Sequence, residues 1–470
     1  MSEPAKFVTG STLHHVLVMS ATGSIGLMAV FLVDALNLFY ISLLGQQELA
    51  AAIGYAATLI FFTTSVSIGL SIAATAITSQ AIGAGNRARA RQLAATSILY
   101  TTVIMSATVA ATYPFLAQLV GFMGARGDTA QLTLEFMQIV LPSLPIIGMG
   151  MSMAGLLRAV GDAKQAMFVT LGAGAATAIL DPIFIFGLDM GIHGAAVSTV
   201  ISRFALIAIG FYGLHHKHRM LAMPSFSLIS GTIRPYLFVA IPAIMTQLAT
   251  PVGNAYVTIQ IARYGDAAVA GWAVIGRLIP VAFGAMFAMS GAVGPILGQN
   301  YGAMRFDRLQ GTMRNAFVVL TIYTLVVWAL LAMGSNLIAS LFGVEGEARE
   351  LVVFFCNFVS VSFLFNGMLF VANAAFNNLG YPFLSTIFNW GRSTLGVIPF
   401  VWFGSKYYGA TGVLAGYGLG VIFFGVAAAF VCLRVIRKLA ENPPSQPPGG
   451  PTIQVPPAAN SPFTSGKAAT

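Results

Sequence analysis

The stretch AVFLVDALNLFYISLL, residues 29–44, closes a run from Val16 to Leu44 that is apolar almost throughout. At a rise of about 1.5 Å per residue, about 20 apolar residues cross a hydrocarbon core of about 30 Å, so this run predicts a membrane-spanning helix. One acidic residue, Asp34, lies well inside it. Because a carboxylate at that depth costs about 2.5–3.5 kcal/mol on insertion scales, we expect this side chain to gain and lose a proton near neutral pH.

The composition of the whole chain is typical of a polytopic membrane protein. Of its 470 residues, 57% are hydrophobic and only 8% are charged, whereas soluble domains contain about 25% charged residues. The net charge of +9 does not indicate nucleic-acid binding, because the charges lie in short loops between apolar runs. The two cysteines, Cys356 and Cys432, lie in apolar runs and form neither a disulfide framework nor a metal-binding spacing.

Apolar segments that can each span a membrane recur along the chain. We count twelve of them, near residues 16–40, 50–80, 93–121, 132–157, 166–188, 194–214, 236–262, 271–298, 315–341, 351–377, 383–404 and 409–433. One set of span ends carries most of the basic residues, namely Lys6, Arg87, Arg89, Arg91, Arg158, Lys164, Lys217, Arg219, Arg234, Arg305, Arg308, Arg314, Arg434, Arg437 and Lys438. Since cytoplasmic loops are enriched in lysine and arginine, this side is predicted to be cytoplasmic, with both termini inside.

Two pairs of short motifs show that the chain is duplicated. SQAIGAGNRARA (79–90) is similar to GQNYGAMRFDRL (298–309), and LLRAVGDAK (156–164) is similar to AFNNLGYPF (375–383), both at an offset of 219 residues. Two halves of six spans share one orientation, so we expect them to be related by an axis along the membrane normal, with a cavity between them. This layout is typical of a transporter.

The duplicated chain is predicted to divide into four parts. These are an N-lobe (1–215), a cytoplasmic linker (216–235), a C-lobe (236–440) and a proline-rich tail (441–470). The tail has no hydrophobic periodicity, and we expect it to be disordered and dispensable for transport.

The motifs resemble those of the multidrug and toxic compound extrusion (MATE) family. The resemblance covers about residues 13–435 and rests on GQQELAAAIG after the first span, the Gln-x-x-Gly-Ala motifs at Gln80 and Gln299, LLRAVGDAK, and LDPIFIFGL followed by GIHGAAVSTVIS. It implies an all-α integral membrane protein with twelve transmembrane helices in two homologous six-helix lobes. It also implies a secondary antiporter, of the proton-coupled DinF-like type, that exports organic and often cationic compounds.

Only two acidic residues lie deep in spans, Asp34 and Asp181. Acids inside a membrane are functional by default, because lipid offers nothing in return for their desolvation. Asn37 lies three residues after Asp34 and Thr177 one turn before Asp181, so each is placed to support the neighbouring acid. The alternatives are a helix–helix hydrogen bond or an ion pair with Arg203 of the sixth span.

The resemblance also suggests a set of ligands around these acids. Family members with a cation site in this half combine two aspartates with an asparagine at the place of Thr177 and a threonine on the sixth span, which matches Thr199 here. A hydroxyl at Thr177 replaces an amide oxygen and weakens a Na⁺ site. We therefore favour H⁺ as the coupling ion, with Na⁺ at Asp34, Asp181 and Thr199 as the alternative, and expect no other cofactor.

The second half offers no titratable acid in its spans. Family members that bind Na⁺ there use acids in the seventh and tenth spans, where this chain has amides. The candidate substrate-cavity residues are Gln247, Asn254, Asn373, Asn377, Arg277 and Arg392. For each amide, packing between helices is the alternative. The two arginines are expected to be buried and to satisfy backbone carbonyls rather than to bind an anionic substrate.

Other classes of protein are less well supported. A flippase for lipid or lipid-linked oligosaccharide of the same superfamily is the nearest alternative, and Arg203, Arg277 and Arg392 keep it open. No nucleophile–base constellation indicates an enzyme, and we interpret His215, His216 and His218 as part of a solvated linker rather than a metal site. We expect a monomer in the cell membrane whose partners are small organic, often cationic substrates and the lipid bilayer.

Overall fold

In a computed structural model, the chain is described over residues 5–44, 47–222 and 226–449. All regular secondary structure in these ranges is helical. The α-helices are, in order, α1 Thr12–Ser42, α2 Gln47–Gly83, α3 Arg87–Thr112, α4 Leu116–Phe122, α5 Gly127–Val140, α6 Leu144–Val160, α7 Ala163–Pro182, α8 Gly191–Phe211, α9 Phe226–Ala262, α10 Asp266–Gly302, α11 Phe306–Leu341, α12 Gly346–Phe354, α13 Phe363–Asn378, α14 Pro382–Gly391 and α15 Ile398–Glu441.

The number of spans agrees with the prediction. Within the described ranges, 11 helical segments are long and apolar enough to cross a membrane. The last of them, Pro382–Glu441, contains Gly409 at φ 65° and ψ −147°, a conformation open to glycine that breaks the segment into two spans. The twelve-span, all-helical fold is therefore confirmed.

Several spans are longer than the apolar pattern predicted. The fourth joins α5 to α6 through a short turn at Leu141–Ser143, and the tenth joins α12 to α13. Helix α9 begins at Phe226, so the helical part of the chain extends into the predicted linker (216–235). The four-part division itself stays a prediction, and residues 450–470 of the predicted tail lie outside the described residues.

The two halves pack against each other through their first two spans. Helix α1 packs against α10, and α2 packs against both α9 and α10. These pairs join the first span to the eighth and the second to the seventh, as an internal twofold relation requires. The interface between the halves is therefore built from equivalent elements.

The backbones of α2 and α10 touch at the end of the bundle where Lys6, Arg87, Arg158 and Arg308 lie, which we call the basic end. A Cβ atom on Gly83 would lie only 1.9 Å from the carbonyl oxygen of Gln299, and one on Gly302 only 2.0 Å from that of Gln80. Only glycine permits such an approach. The Gln-x-x-Gly-Ala motifs thus serve as the crossing point of the two lobes.

The segment that precedes α1 closes the basic end further. Phe7 is 1% exposed, and its backbone N–H donates to Oε1 of Gln299 at 2.9 Å. Lys6 Nζ donates to the carbonyl of Gly161 in the first half at 2.7 Å, while Arg308 in the second half donates to the carbonyl of Phe7 at 2.8 Å. This segment therefore bridges both halves.

The opposite end of the interface is more open. Val281 on α10 is 57% exposed, and Asp34 and Arg277 are exposed as well. The lobes are thus bridged at the basic end, whereas charged side chains of α1 and α10 are accessible at the other end.

Candidate ion-coupling and substrate site

Asp181 lies at the meeting point of α1, α7 and α8. Its carboxylate is fully buried, and Asn37 Nδ2 on α1 donates to its Oδ2 at 2.9 Å. The hydroxyl of Ser198 on α8 donates to its Oδ1. Pro182 follows directly, and a wide π-turn at Ile183–Gly187 ends the span. Asp181 is thus a hydrogen-bonded buried carboxylate beside an irregular stretch of helix.

Asp34 lies about 60° around α1 from Asn37. A Cβ atom on Gly26, eleven residues before Asn37, would contact Thr170 and Met167 of α7, whereas one on Gly23, eleven residues before Asp34, would lie 3.5 Å from Cβ of Ala288 on α10. Eleven residues make about three helical turns and return to nearly the same face. Asn37 therefore faces Asp181, and Asp34 faces the interface between the lobes.

The structure consequently separates the two acids that the sequence grouped. Asp34 is exposed and has no hydrogen bond or ion pair with any residue that the structure describes. Its carboxylate is open to the space between the lobes.

The two predicted supporting threonines are turned towards their own helices. The hydroxyl of Thr177 donates to the carbonyl of Ala173 at 3.1 Å, and that of Thr199 donates to Ala195 at 2.8 Å. Sequence reasoning missed Ser198, which lies beside Thr199 and bonds Asp181 instead. Choosing between two adjacent hydroxyls requires the rotation of α8, which the sequence alone does not supply.

The predicted substrate-cavity residues of the second half are split between surface and core. Gln247 is half-buried and Asn254 is exposed, while Asn373 and Asn377 are buried. Oδ1 of Asn377 accepts a hydrogen bond from Ser385 at 3.0 Å, and Oδ1 of Asn373 has no partner among the described residues. Only the first two amides are accessible in this conformation.

Of the two arginines of the second half, Arg392 is buried as expected, but the expected burial of Arg277 and the expected carbonyl partners of Arg392 were wrong. Arg277 is exposed and makes no hydrogen bond to a described residue. Arg392 is 2% exposed, but its Nη2 donates to the hydroxyls of Thr250 (2.9 Å) and Ser393 (3.2 Å), not to carbonyls.

In the first half, Arg203 is satisfied without an acid. It donates to the carbonyl of Val140 at 3.1 Å and to the hydroxyl of Ser143. It therefore pairs with neither Asp34 nor Asp181 in this structure, and the alternative of an Arg203 ion pair is wrong.

A second charged cluster surrounds Asp162, between α6 and α7. Asp162 accepts hydrogen bonds from the backbone N–H of Gln165 (3.0 Å) and from His218 Nε2 (2.8 Å), and Lys217 Nζ lies 2.7 Å away. Burial raises the pKa of this carboxyl, but these partners outweigh it and hold the pKa at about 2. Part of the histidine-rich segment is thus held against the first half rather than solvated.

A twelve-span helical bundle with two equivalent lobes, bridged at one end and with accessible charged side chains at the other, is typical of a membrane transporter. The MatE family model matches residues 24–183 and, separately, 242–403. The chain therefore belongs to the multidrug and toxic compound extrusion (MATE) family, and the two matches fall on its two halves. Members of this family are transporters, so the chain is a transporter and not an enzyme.

The proteins similar to this chain include an FAD transporter and a multidrug exporter. The chain is 26% identical over 428 residues to the FAD transporter of Shewanella oneidensis, covering 90% of this chain and 94% of that protein. It is 24% identical over 400 residues to the multidrug export protein MepA of Staphylococcus aureus, covering 83% and 86% of the two chains. The crystal structure of the MATE transporter VcmN from Vibrio cholerae in its bent form is similar, with 25% identity, a TM-score of 0.86 and coverage of 91% and 97%.

Proposed function

We propose that this chain is a proton-coupled antiporter that exports small organic, often cationic compounds by alternating access. In this proposal the protein acts as a monomer in the cell membrane, with its basic end and both termini in the cytoplasm. One observation carries the proposal. Asp34 is a carboxyl group in the first span that is open to the space between the lobes and has no partner among the described residues.

In the proposed cycle, the present structure corresponds to the outward-open state. Protonation of Asp34 from outside removes the negative charge that holds a cationic substrate, so the substrate leaves. The lobes then rock to open the basic end, where loss of the proton to the cytoplasm restores the charge. Asp181 tunes this exchange through Asn37, which lies one turn from Asp34. One proton crossing 100 mV supplies about 2.3 kcal/mol, which supports a gradient of about fifty-fold.

The contacts of Asp181 support H⁺ rather than Na⁺ as the coupling ion. Both of its carboxylate oxygens accept hydrogen bonds, from Asn37 and Ser198, and Asp34 is not hydrogen-bonded to any of these three residues. A sodium ion needs several oxygen ligands converging on one point, whereas a proton needs one accessible carboxylate.

A nucleotide-bearing substrate is the second candidate. The similarity to the FAD transporter of Shewanella oneidensis favours it, and so does Arg277, an exposed cation at the lobe interface. Such a substrate would bring negative charge towards an arginine, where an organic cation would be drawn to Asp34. The lipid or lipid-linked-oligosaccharide flippase has no further observation in its favour.

The test is efflux of ethidium from proteoliposomes driven by an imposed pH gradient or an imposed Na⁺ gradient. We expect pH-driven efflux for the wild type and its loss in Asp34→Asn. Asp189→Asn is the matched control, because Asp189 is an exposed loop acid with φ 53°, a conformation that asparagine tolerates. Efflux driven only by Na⁺, or unchanged in Asp34→Asn, would contradict the proposal. Absence of ethidium transport, with FAD transported instead, would favour the second candidate.

A further inference from the structure

Helices α1 and α10 form an antiparallel pair across the lobe interface. A Cβ atom on Gly23 would lie 3.5 Å from Cβ of Ala288, and one on Gly284 would lie 3.5 Å from the ring of Phe31. Residue numbers thus rise along α1 while they fall along α10. These contacts define the register of the pair.

The register places one acid and one base opposite each other. Counting eleven residues from Gly23 away from the basic end leads to Asp34, and counting eleven from Ala288 in the same direction leads to Arg277. Each count spans about 16 Å and returns to within about 20° of the same helix face. Arg277 also lies two turns from Gly284, the neighbour of Phe31. Both side chains therefore lie at the same height, each on the face that its helix presents to the other.

The two charges do not touch in this structure. No ion pair within 4.0 Å joins them, and both side chains are exposed. The two side chains are therefore apart in this structure, although the helices remain in contact as far as Phe31 and Gly284. Closing the interface at this end would bring the carboxylate and the guanidinium together.

The other charged groups around Asp34 are engaged or distant. On the elements packed against α1, Asp181 accepts from Asn37 and Ser198, and Arg203 bonds Val140 and Ser143. The remaining charged groups and histidines of these elements lie towards helix ends, namely Glu48 on α2, Lys164 on α7, His193 on α8, Asp266 on α10, and Asp307, Arg308 and Arg314 on α11. The other titratable side chains of these elements are the tyrosines Tyr55, Tyr301 and Tyr323.

Asp266 lies on the same face of α10 as Arg277 but about 16 Å away, at the start of the helix. The acids of α12 face another side of α10. Glu347 and Glu350 lie on α12, which packs on Gly271. Gly271 is about 120° around α10 from Arg277. Among the described residues, Asp34 is therefore the acid that Arg277 faces.

The duplicated fold supplies an internal comparison. The lobe interface consists of two helix pairs, which we call seams: α1 with α10, and its equivalent, α2 with α9. In the second seam, neither residues 51–83 nor residues 236–262 contain an Asp, Glu, Lys or Arg. Packing of the two lobes therefore does not require charges. The acid and the base belong to one seam only, the seam that carries the proposed proton site.

We propose that Arg277 is the counter-ion of deprotonated Asp34 and that the two form an ion pair when the end opposite the basic end closes. Protonation of Asp34 removes the charge that Arg277 attracts, and the pair separates. An organic cation bound at Asp34 displaces Arg277, which frees this end to open. The inference rests on the proposed function in one respect, that Asp34 is the group that exchanges a proton.

The first experiment measures the distance between spin labels in proteoliposomes without substrate. Labels on Leu43→Cys and Ala267→Cys report the ends of α1 and α10, and the natural Cys356 and Cys432 are fully buried. Each single-cysteine variant controls for background labelling. In the otherwise wild-type protein, raising the pH should shift the population towards the shorter distance. Arg277→Gln should stay open at both pH values, and Arg277→Lys, which keeps the charge, should retain the shift.

The second experiment measures the KM for ethidium efflux. Because Arg277 competes with the cation for Asp34, Arg277→Gln should lower KM severalfold and weaken the dependence on pH. Arg263→Gln is the matched control, since it removes a cation from the loop before α10. In the distance measurement, exchange of the two charges, Asp34→Arg with Arg277→Asp, should restore the closed population that Arg277→Gln loses.

Two results would overturn the inference and leave the proposed function intact. The first is pH-dependent closure and a normal KM in Arg277→Gln. The second is selective loss of FAD transport in Arg277→Gln with ethidium efflux unchanged, which would make Arg277 a substrate-binding residue. Failure of the proposed function is distinguishable, because it would appear as absence of pH-driven efflux in the wild type.

Discussion

At the scale of single residues, the sequence predicted which acids matter but not how they are arranged. The depth of Asp34 and Asp181 follows from their distance to the ends of apolar runs. Their neighbours depend on the rotation of each helix, and a step of one residue turns a side chain by about 100°. For this reason Ser198 rather than Thr199 bonds Asp181, and Arg277 is exposed rather than buried.

The contacts of Asp181 predict unequal effects for two neighbouring hydroxyls. Ser198→Ala removes one of its two donors and should lower the free energy of unfolding by about 1–3 kcal/mol. Thr199→Val should cost less, because the Thr199 hydroxyl bonds only the carbonyl of its own helix. Thermal unfolding of both variants in detergent checks this. A larger loss in Thr199→Val would contradict the assignment of Ser198.

The Asp162 cluster predicts a pH-dependent contribution to stability. The pKa of Asp162 is about 2 in the folded chain, below the ordinary value of about 3.9. Its stabilising contribution should therefore be fully present above about pH 4 and be lost as the pH falls towards about 2. The difference in unfolding free energy between wild type and Asp162→Asn, which keeps the N-cap of α7, should follow this course. A difference that does not change across this window would count against it, and Glu441→Gln, at an exposed ion pair, should have little effect at any pH.

At the scale of helices, the lobe crossing depends on residues without side chains. The doubled Gln-x-x-Gly-Ala motif was readable from the sequence as evidence of a repeat. Its physical role was not, because close approach of α2 and α10 is a property of two distant segments. In the structure each glycine of the doubled motif meets the backbone of the other helix.

Alanine at these glycines should open the basic end. In Gly83→Ala the new Cβ would lie 1.9 Å from a backbone oxygen, a distance that only movement of the helices can relieve. We expect lower thermal stability and greater reactivity of a cysteine introduced at Ala159 of the basic end. Gly54→Ala is the matched control on the same helix, because nothing lies within 4 Å of its Cβ position, and there alanine should be neutral or stabilising. Equal effects of the two substitutions would contradict a backbone crossing at Gly83.

At the scale of the whole molecule, the fold was largely predictable and the conformation was not. Twelve spans and two equivalent halves follow from the lengths of apolar runs and from motifs at a fixed offset. Whether the lobes meet at one end or the other depends on small differences between long interfaces, which no local pattern encodes. The structure shows the bridge from Lys6 and Phe7 to both halves at the basic end, and it shows that Asp34 is exposed.

The two seams of the lobe interface differ in charge. One seam carries Asp34 and Arg277, while the equivalent seam of α2 and α9 is uncharged over residues 51–83 and 236–262. In the proposed mechanism the proton acts on the first seam, while the other contributes packing. This arrangement accounts for a nearly symmetric fold in which only one half holds the proposed ion site.

The most direct test of the account is proton release when a cationic substrate binds. Purified protein in detergent, weakly buffered near neutral pH with a pH indicator, is titrated with ethidium. We expect the wild type to release protons as the cation binds and Asp34→Asn to release none, because the cation and the proton compete for the same carboxylate. Equal release from Asp34→Asn, or binding to the wild type without any release, would contradict the account.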